Sequence, residues 1–330
     1  MQYRLYKLKF ETPVHFGSER KGTSLENVNA TCHSDTLFSA ICHEFVKLYD
    51  ELELDDYKDL FEDGKILISS MFPYKNEDLY LPKPSVIVER SNTKEVEYSN
   101  KKKMKKLEFI KLSDFKRYLG CLKSGEPFDF NESEYEFAKY SDNAKVALRT
   151  DESEDSDDGK RNNNKIYHVG TYSFCEDAGL YFIVRFEDED EIARFDKIVE
   201  SLGYSGIGGK RSSGYGKFKV ISCEVPPSDM LELLNKKAEY NMAISLVSPD
   251  ENELEQDFSS CYYNLINRGG FIYSTDYADT MQKRKNLVMF KEGSCFDVDL
   301  SGTIQDVSNG GKHPVYRYGK ALKIGVEVWQ

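Results

Sequence analysis

Residues 179–225 read GLYFIVRFEDEDEIARFDKIVESLGYSGIGGKRSSGYGKFKVISCEV. The opening GLYFIVRF, rich in β-branched and aromatic residues, predicts a strand over 179–186. Ile192, Phe195, Val199 and Leu202 then recur at helical spacing, with Gly203 placed to close that helix. KFKVISCEV (217–225) predicts a second strand. Between helix and strand, residues 203–219 hold six glycines and a cluster of cations without a single acid. The segment is therefore a strand–helix–strand unit whose helix feeds its second strand through a glycine-rich, cationic loop.

That loop fails the common nucleotide patterns. A P-loop needs a glycine where Tyr204 stands and a serine or threonine where Arg211 stands, and it runs from strand to helix rather than from helix to strand. A dinucleotide fingerprint needs a third glycine at position 211. What remains is the spacing of Gly206, Gly208, Gly214 and Gly216, with Gly209 between. Such glycines let backbone N–H groups approach a phosphate. Lys210 and Arg211 add charge, Ser212 and Ser213 add small donors, and Tyr215 adds a stacking face. A flexible hairpin kept soluble by its cations would read the same way.

The contrast with the rest of the chain is sharp, because the formal net charge of the 330 residues is -12. That charge argues against a general nucleic-acid coat and leaves room only for a local site. The length predicts two domains. Seven scattered cysteines, none spaced C-x-x-C, read as reduced thiols of a cytoplasmic protein. The amino terminus lacks a signal peptide's apolar core, and no run reaches membrane-spanning length.

Outward from the loop, MQYRLYKLKF alternates like a half-buried strand through Tyr3, Leu5, Lys7 and Phe10. HSDTLFSAICHEFVKLYD (33–50) predicts a helix with Ser34 as N-cap, Asp35 at its positive end, and Leu37, Ile41, Phe45 and Leu48 on one face. ILISSMF (66–72) predicts one apolar strand, and LPKPSVIVE (81–89) an extended segment. NMAISLVS, GGFIYS, LVMFKEGSCF and HPVYRYGKALKIGVEVW supply late strands, and Trp329 is a candidate packing anchor. The stretches 91–106, ending KKKMKK, and 151–164, DESEDSDDGKRNNN, read as long inserted loops. The fold class expected is α+β, two sandwiches each with helices on one face of a sheet. The boundary is drawn between segments 1–150 and 151–330, across which strands can interleave.

Four blocks, TPVHFGS, HSDTLFSAICHEF, GIGGKRSSGYGKF and HPVYRYGKAL, resemble in sequence and order the RAMP superfamily of CRISPR effector subunits. Within it the chain is most similar to the fourth subunit of the type III-A Csm complex. The resemblance implies two ferredoxin-like (RRM-like) domains with a glycine-rich loop. It also implies a noncatalytic subunit of an RNA-guided antiviral ribonucleoprotein, with no cofactor and no metal. Its partners would be the repeat-derived 5′ handle of the guide RNA, the large polymerase-like signalling subunit and the backbone subunit. By the same resemblance Gly206 to Gly216 contact RNA, with the His15-Phe16-Gly17 turn and the His33-Ser34 helix start beside them. Arg317 is a further candidate, although a strand end with exposed polar residues explains it better.

An enzyme remains the alternative: a metal-independent, guide-processing endoribonuclease, with His33 and His15 as acid–base groups. No H-E-x-x-H occurs, and GGFIYSTD lacks the paired aspartates of a polymerase palm, so neither a metalloprotease nor a nucleotide cyclase is supported. Cys32-His33 and Cys42-His43 stand too far apart along one helix to share a zinc ion.

Overall fold

A computed structural model describes residues 1–18, 25–86, 104, 106–147, 165–274 and 276–327. The 151–164 stretch and Trp329 lie outside the described residues, as does 91–106 apart from Met104 and Lys106.

The strand Ala178–Phe186 is the centre of the molecule. It pairs antiparallel with Gln2–Phe10, which pairs antiparallel on its other edge with Phe218–Glu224. The two strands of the strand–helix–strand unit are therefore parallel to each other, with the amino-terminal strand inserted between them. Antiparallel pairing continues on the far side through Phe72–Lys75, Asp78–Pro82 and Phe109–Lys111. Ile66–Ile68 pairs with the far end of the central strand, which completes a seven-stranded sheet among the described residues.

Both faces of this sheet are covered. Leu180, Phe182, Val184 and Phe186 pack against helix α1 (Ser34–Leu48), α2 (Leu54–Glu62) and α4 (Ile192–Ser205). Tyr181 and Ile183 face the opposite way, onto α3 (Leu112–Ser124), α5 (Ser228–Asn235) and the late strands Tyr240–Ala243 and Lys323–Val326. Helices on one face only were expected. The uninterrupted apolar run of GLYFIVRF reflects instead a strand buried on both sides.

Several boundaries differ for identifiable reasons. ILISSMF is two strands, because the regular ladder breaks at Ser69 and Ser70: the Ser69 N–H still donates to the Ile183 carbonyl but its hydroxyl accepts the Ile183 N–H, and the Ser70 N–H turns to the Ile244 carbonyl. Helix α4 runs through Gly203 and ends at Gly206, whose φ is 78°. Gly203 lies against the Phe218 carbonyl, where a Cβ would not fit, so its role is close helix–strand packing. In α1 the N-cap is His33, not Ser34. Leu48 is exposed at the helix end, and Phe38 takes the core position between Phe61 and Tyr318. GGFIYS forms only a bridge from Phe271 to Lys283 rather than a strand.

Several elements had no sequence expectation, among them α2, α3 and α5. Ala138–Ala147 and Lys165–Phe174 form a long antiparallel hairpin on either side of the acidic stretch. The carboxyl-terminal region is built of short strands, including Leu265–Arg268 paired with Leu287–Phe290.

Candidate nucleic-acid interface

The glycine loop is folded down onto the amino-terminal turn. Ile207, fully buried, donates to the Gly216 carbonyl at 3.0 Å. The Gly216 N–H donates to the Pro13 carbonyl at 2.9 Å, and the Gly209 N–H to the His15 carbonyl at 2.8 Å. Gly206, Gly208, Gly214 and Gly216 all have φ between 78° and 93°, a region that disfavours any side chain. Cβ atoms at 206, 208, 209 and 216 would also meet the Tyr215 carbonyl, the Phe16 ring, the His15 ring and the Ile207 carbonyl respectively. Most of these glycines are thus required by the loop's own packing. Lys210 takes a left-handed φ of 60° without being glycine, at the entrance to a short turn at Arg211–Ser213, a conformation that costs of order 1 kcal/mol.

This folding opens a cleft of about 320 Å³ between the loop, the His15–Gly17 turn, α1 and the carboxyl-terminal region. His15, Phe16, Gly17, His33, Gly208, Gly209, Lys210, Arg211 and Ser212 line it together. Gly206 and Gly216 are buried inside the loop instead. Ser213, Gly214 and Tyr215 lie away from the cleft, with Lys145 Nζ 4.8 Å from the centre of the Tyr215 ring.

Ser34 and Arg317 are closed off from solvent. The Ser34 hydroxyl accepts the Leu246 N–H at 3.0 Å, which ties the start of α1 to the carboxyl-terminal region. Arg317, 2% exposed, is bound to the Asp35 carboxylate. Neither offers a side chain to a ligand.

The cleft also contains residues that were not among the RNA-contact candidates: Thr36, Ser39 and His43 on α1, and Arg268, Phe271, Tyr273 and Arg284 from the carboxyl-terminal region. The first three fall at i, i+3 and i+7, a second helical face that periodicity could have found. The others lie at least 220 residues from α1 in the chain, and only folding brings them near.

The electrostatics are one-sided. No carboxylate lines the cleft among the described residues, whereas Lys210, Arg211, Arg268 and Arg284 do. Asp35 lies beneath: Arg268 donates to it through Nε and an NH2 nitrogen, each at 2.9 Å, and Arg317 is its other partner. Burial alone would push the Asp35 carboxyl up, but the two guanidiniums hold it well below the usual carboxylate range. One buried anion thus holds two arginines in place and leaves the site with surplus positive charge. His43 is held down to about 4 by burial and by Arg211, Lys47 and Arg284. Burial likewise lowers His15, with Lys210 acting in the same sense. Its Nδ1 lies 2.8 Å from the Gly170 carbonyl and therefore carries the ring proton, because a carbonyl only accepts. His33 Nδ1 is bound to the buried Glu292 at 2.8 Å.

A second cleft of about 480 Å³ meets the first at Thr31, Cys32 and His33, and holds Lys83, Lys106, Lys291 and Asn264 beside aromatic rings. Glu108 and Glu292 line this second cleft as well, so its charge is mixed where that of the first is positive.

The RAMP superfamily model matches residues 7–219, and the CRISPR Csm4 C-terminal domain model matches 236–326. The "CRISPR system Cms protein Csm4" of Mycobacterium tuberculosis (strain CDC 1551 / Oshkosh) is 29% identical over 322 residues, 98% of this chain and 97% of that protein. A chain in the crystal structure of the Csm3-Csm4 subcomplex of the type III-A CRISPR-Cas interference complex has a TM-score of 0.63 at 20% identity, covering 99% of both chains. One in the crystal structure of the Csm1-Csm4 cassette in complex with cA4 has a TM-score of 0.61 at 19% identity, again over 99% of both. With well over half of its length matched by one family model, and with the glycine loop and the turn beneath it both inside that match, the chain belongs to the RAMP superfamily.

Proposed function

We propose that this chain is the subunit of a cytoplasmic type III-A CRISPR effector that binds the 5′ handle of the guide RNA and joins the large subunit to the backbone subunit, without catalysis of its own. The observation that carries the RNA reading is the cleft: four cations, exposed aromatic rings, two histidines shifted toward the neutral form and no carboxylate, on an otherwise acidic molecule. A single strand needs backbone charge and stacking faces rather than a positive protein overall. The names Csm1 and Csm3 in the similar structures support the two docking partners. We further propose two ferredoxin-like units. The first interleaves strands from the segments 1–150 and 151–330, as the pairing of Gln2–Phe10 with Ala178–Phe186 supports. The second spans the 236–326 match. Among the described residues no helix is long and apolar enough to cross a membrane.

The test is binding of repeat-derived RNA to the full chain over a salt series. Lys210→Ala combined with Arg211→Ala is expected to weaken binding and to flatten the salt dependence by roughly one to two units of slope. Unchanged affinity and slope would remove the loop from the site. The same mixture tests the enzyme alternative, whose residues His15 and His33 share the cleft. Intact RNA after incubation without metal is the expected result. Cleavage that disappears in His33→Ala would replace this reading with the endoribonuclease.

A further inference from the structure

Opposite the glycine loop, across the cleft, stand two rings that are large, apolar and open to solvent: Phe271, 49% exposed, and Tyr273, 67% exposed. Each has a cation above it. The Arg211 guanidinium lies 4.7 Å from the centre of the Tyr273 ring, and Lys283 Nζ lies 5.5 Å from that of Phe271. The His43 ring meets the edge of Tyr273 at 5.6 Å. The backbone that presents them is well braced: Ile272 donates to the Gln282 carbonyl at 2.9 Å, Arg284 to the Gly270 carbonyl at 3.0 Å, and the Arg284 guanidinium to the Phe271 carbonyl at 2.8 Å. The Arg284 Nε is buried without a partner.

We infer that the 269–274 segment is a second wall of the RNA site, on which two unstacked bases lie against Phe271 and Tyr273 while the phosphate between them faces Arg211 and Arg284. The inference rests on the RNA reading above and adds its base-binding half. Alternating exposed rings and cations is what a single-stranded nucleic acid needs, since every base has a π face and every linkage a charge. The cation over each ring orients it, and the high exposure leaves the remaining surface open. Because the glycine loop lies in the superfamily match and the two rings lie in the carboxyl-terminal match, a strand bound in this way bridges the two parts of the chain.

The experiment uses the full chain and a single-stranded repeat-derived RNA in which adenines are replaced one at a time by 2-aminopurine. Tyr273→Ala and Phe271→Ala are each expected to weaken binding about tenfold, to leave the salt slope unchanged because no charge is removed, and to relieve the quenching of one 2-aminopurine position. Tyr273→Phe keeps the ring and should bind as the parent does. Tyr273 is solvent-facing, so its alanine variant should melt with the parent protein even if Phe271→Ala does not. Unchanged affinity and quenching in Tyr273→Ala, with Lys210→Ala/Arg211→Ala still weakened, would overturn the second wall and leave the RNA reading intact. Absence of RNA binding by the parent chain would overturn both. Intact RNA affinity in Tyr273→Ala with loss of a co-purifying protein subunit would make the patch a protein-docking surface instead.

Discussion

Asp35→Ala is expected to destabilise the folded chain by about 3–5 kcal/mol, the usual cost of stripping one partner from a buried ion pair. Asp35 is 3% exposed in the first turn of α1, where its charge also suits the positive helix end. It answers both Arg268 and Arg317, which reach it from the carboxyl-terminal region. Burial pushes Arg317 down to about 10 even with Asp35 present. Without the carboxylate, two guanidiniums would be left facing each other beside Arg284 in a low-dielectric setting. The variant should also lose RNA affinity, because Arg268 would lose the two hydrogen bonds to Asp35 that help hold it at the cleft. Thermal unfolding followed by circular dichroism measures the first effect, and a melting curve matching the parent's would refute the ion-pair account. The acid limb checks the same point. Asp35 ionises in the folded chain at lower pH than the unfolded value of about 3.9. Its stabilising contribution is therefore complete above about pH 4 and is lost as the pH falls below that. Asp35→Asn should accordingly show a shallower loss of stability in that acid range than the parent protein.

Gly216→Ala is the second large effect. Its φ of 78° alone costs a substituted residue about 1–3 kcal/mol, and the new methyl group would collide with the Ile207 carbonyl, whose own N–H bonds the Gly216 carbonyl. Relief of the clash must break the Ile207–Gly216 hydrogen bond or the one from Gly216 to Pro13, so stability and RNA affinity should fall together. Two neighbours serve as controls. Gly214 has a φ of 85° with nothing within 4 Å of the place a methyl group would take, so Gly214→Ala should show the backbone cost alone. Gly17 has neither the positive φ nor a neighbour within 4 Å, so Gly17→Ala should melt like the parent. Equal melting temperatures for all three variants would mean that the loop is not packed as described.

The comparison of these glycines shows what local sequence carries. GIGGKRSSGYG announces positive φ and close approach, but not to what. A phosphate was a reasonable reading, yet at 206, 208, 209 and 216 the close neighbour is the chain itself. Ser34 shows the same limit: a serine at a helix start is normally a cap, and here its hydroxyl is taken by Leu246, more than 200 residues away. Arg317 looked like a surface cation in a polar strand end and is instead the buried partner of Asp35.

What the sequence by itself determined is the amino-terminal strand, helix α1, the strand–helix–loop–strand unit over 179–225 and the first wall of the cleft. Strand, helix, loop and strand over 179–225 follow from periodicity and glycine, which act within a few residues, and the ordered blocks identify the superfamily. What only the tertiary structure decided is which distant side chains meet at the cleft. Arg268, Arg284, Phe271 and Tyr273 join it because a sheet covered on both faces and a buried carboxylate bring the carboxyl-terminal region against α1. Burial and charge pairing are properties of the assembled chain, so no short window of residues could disclose them.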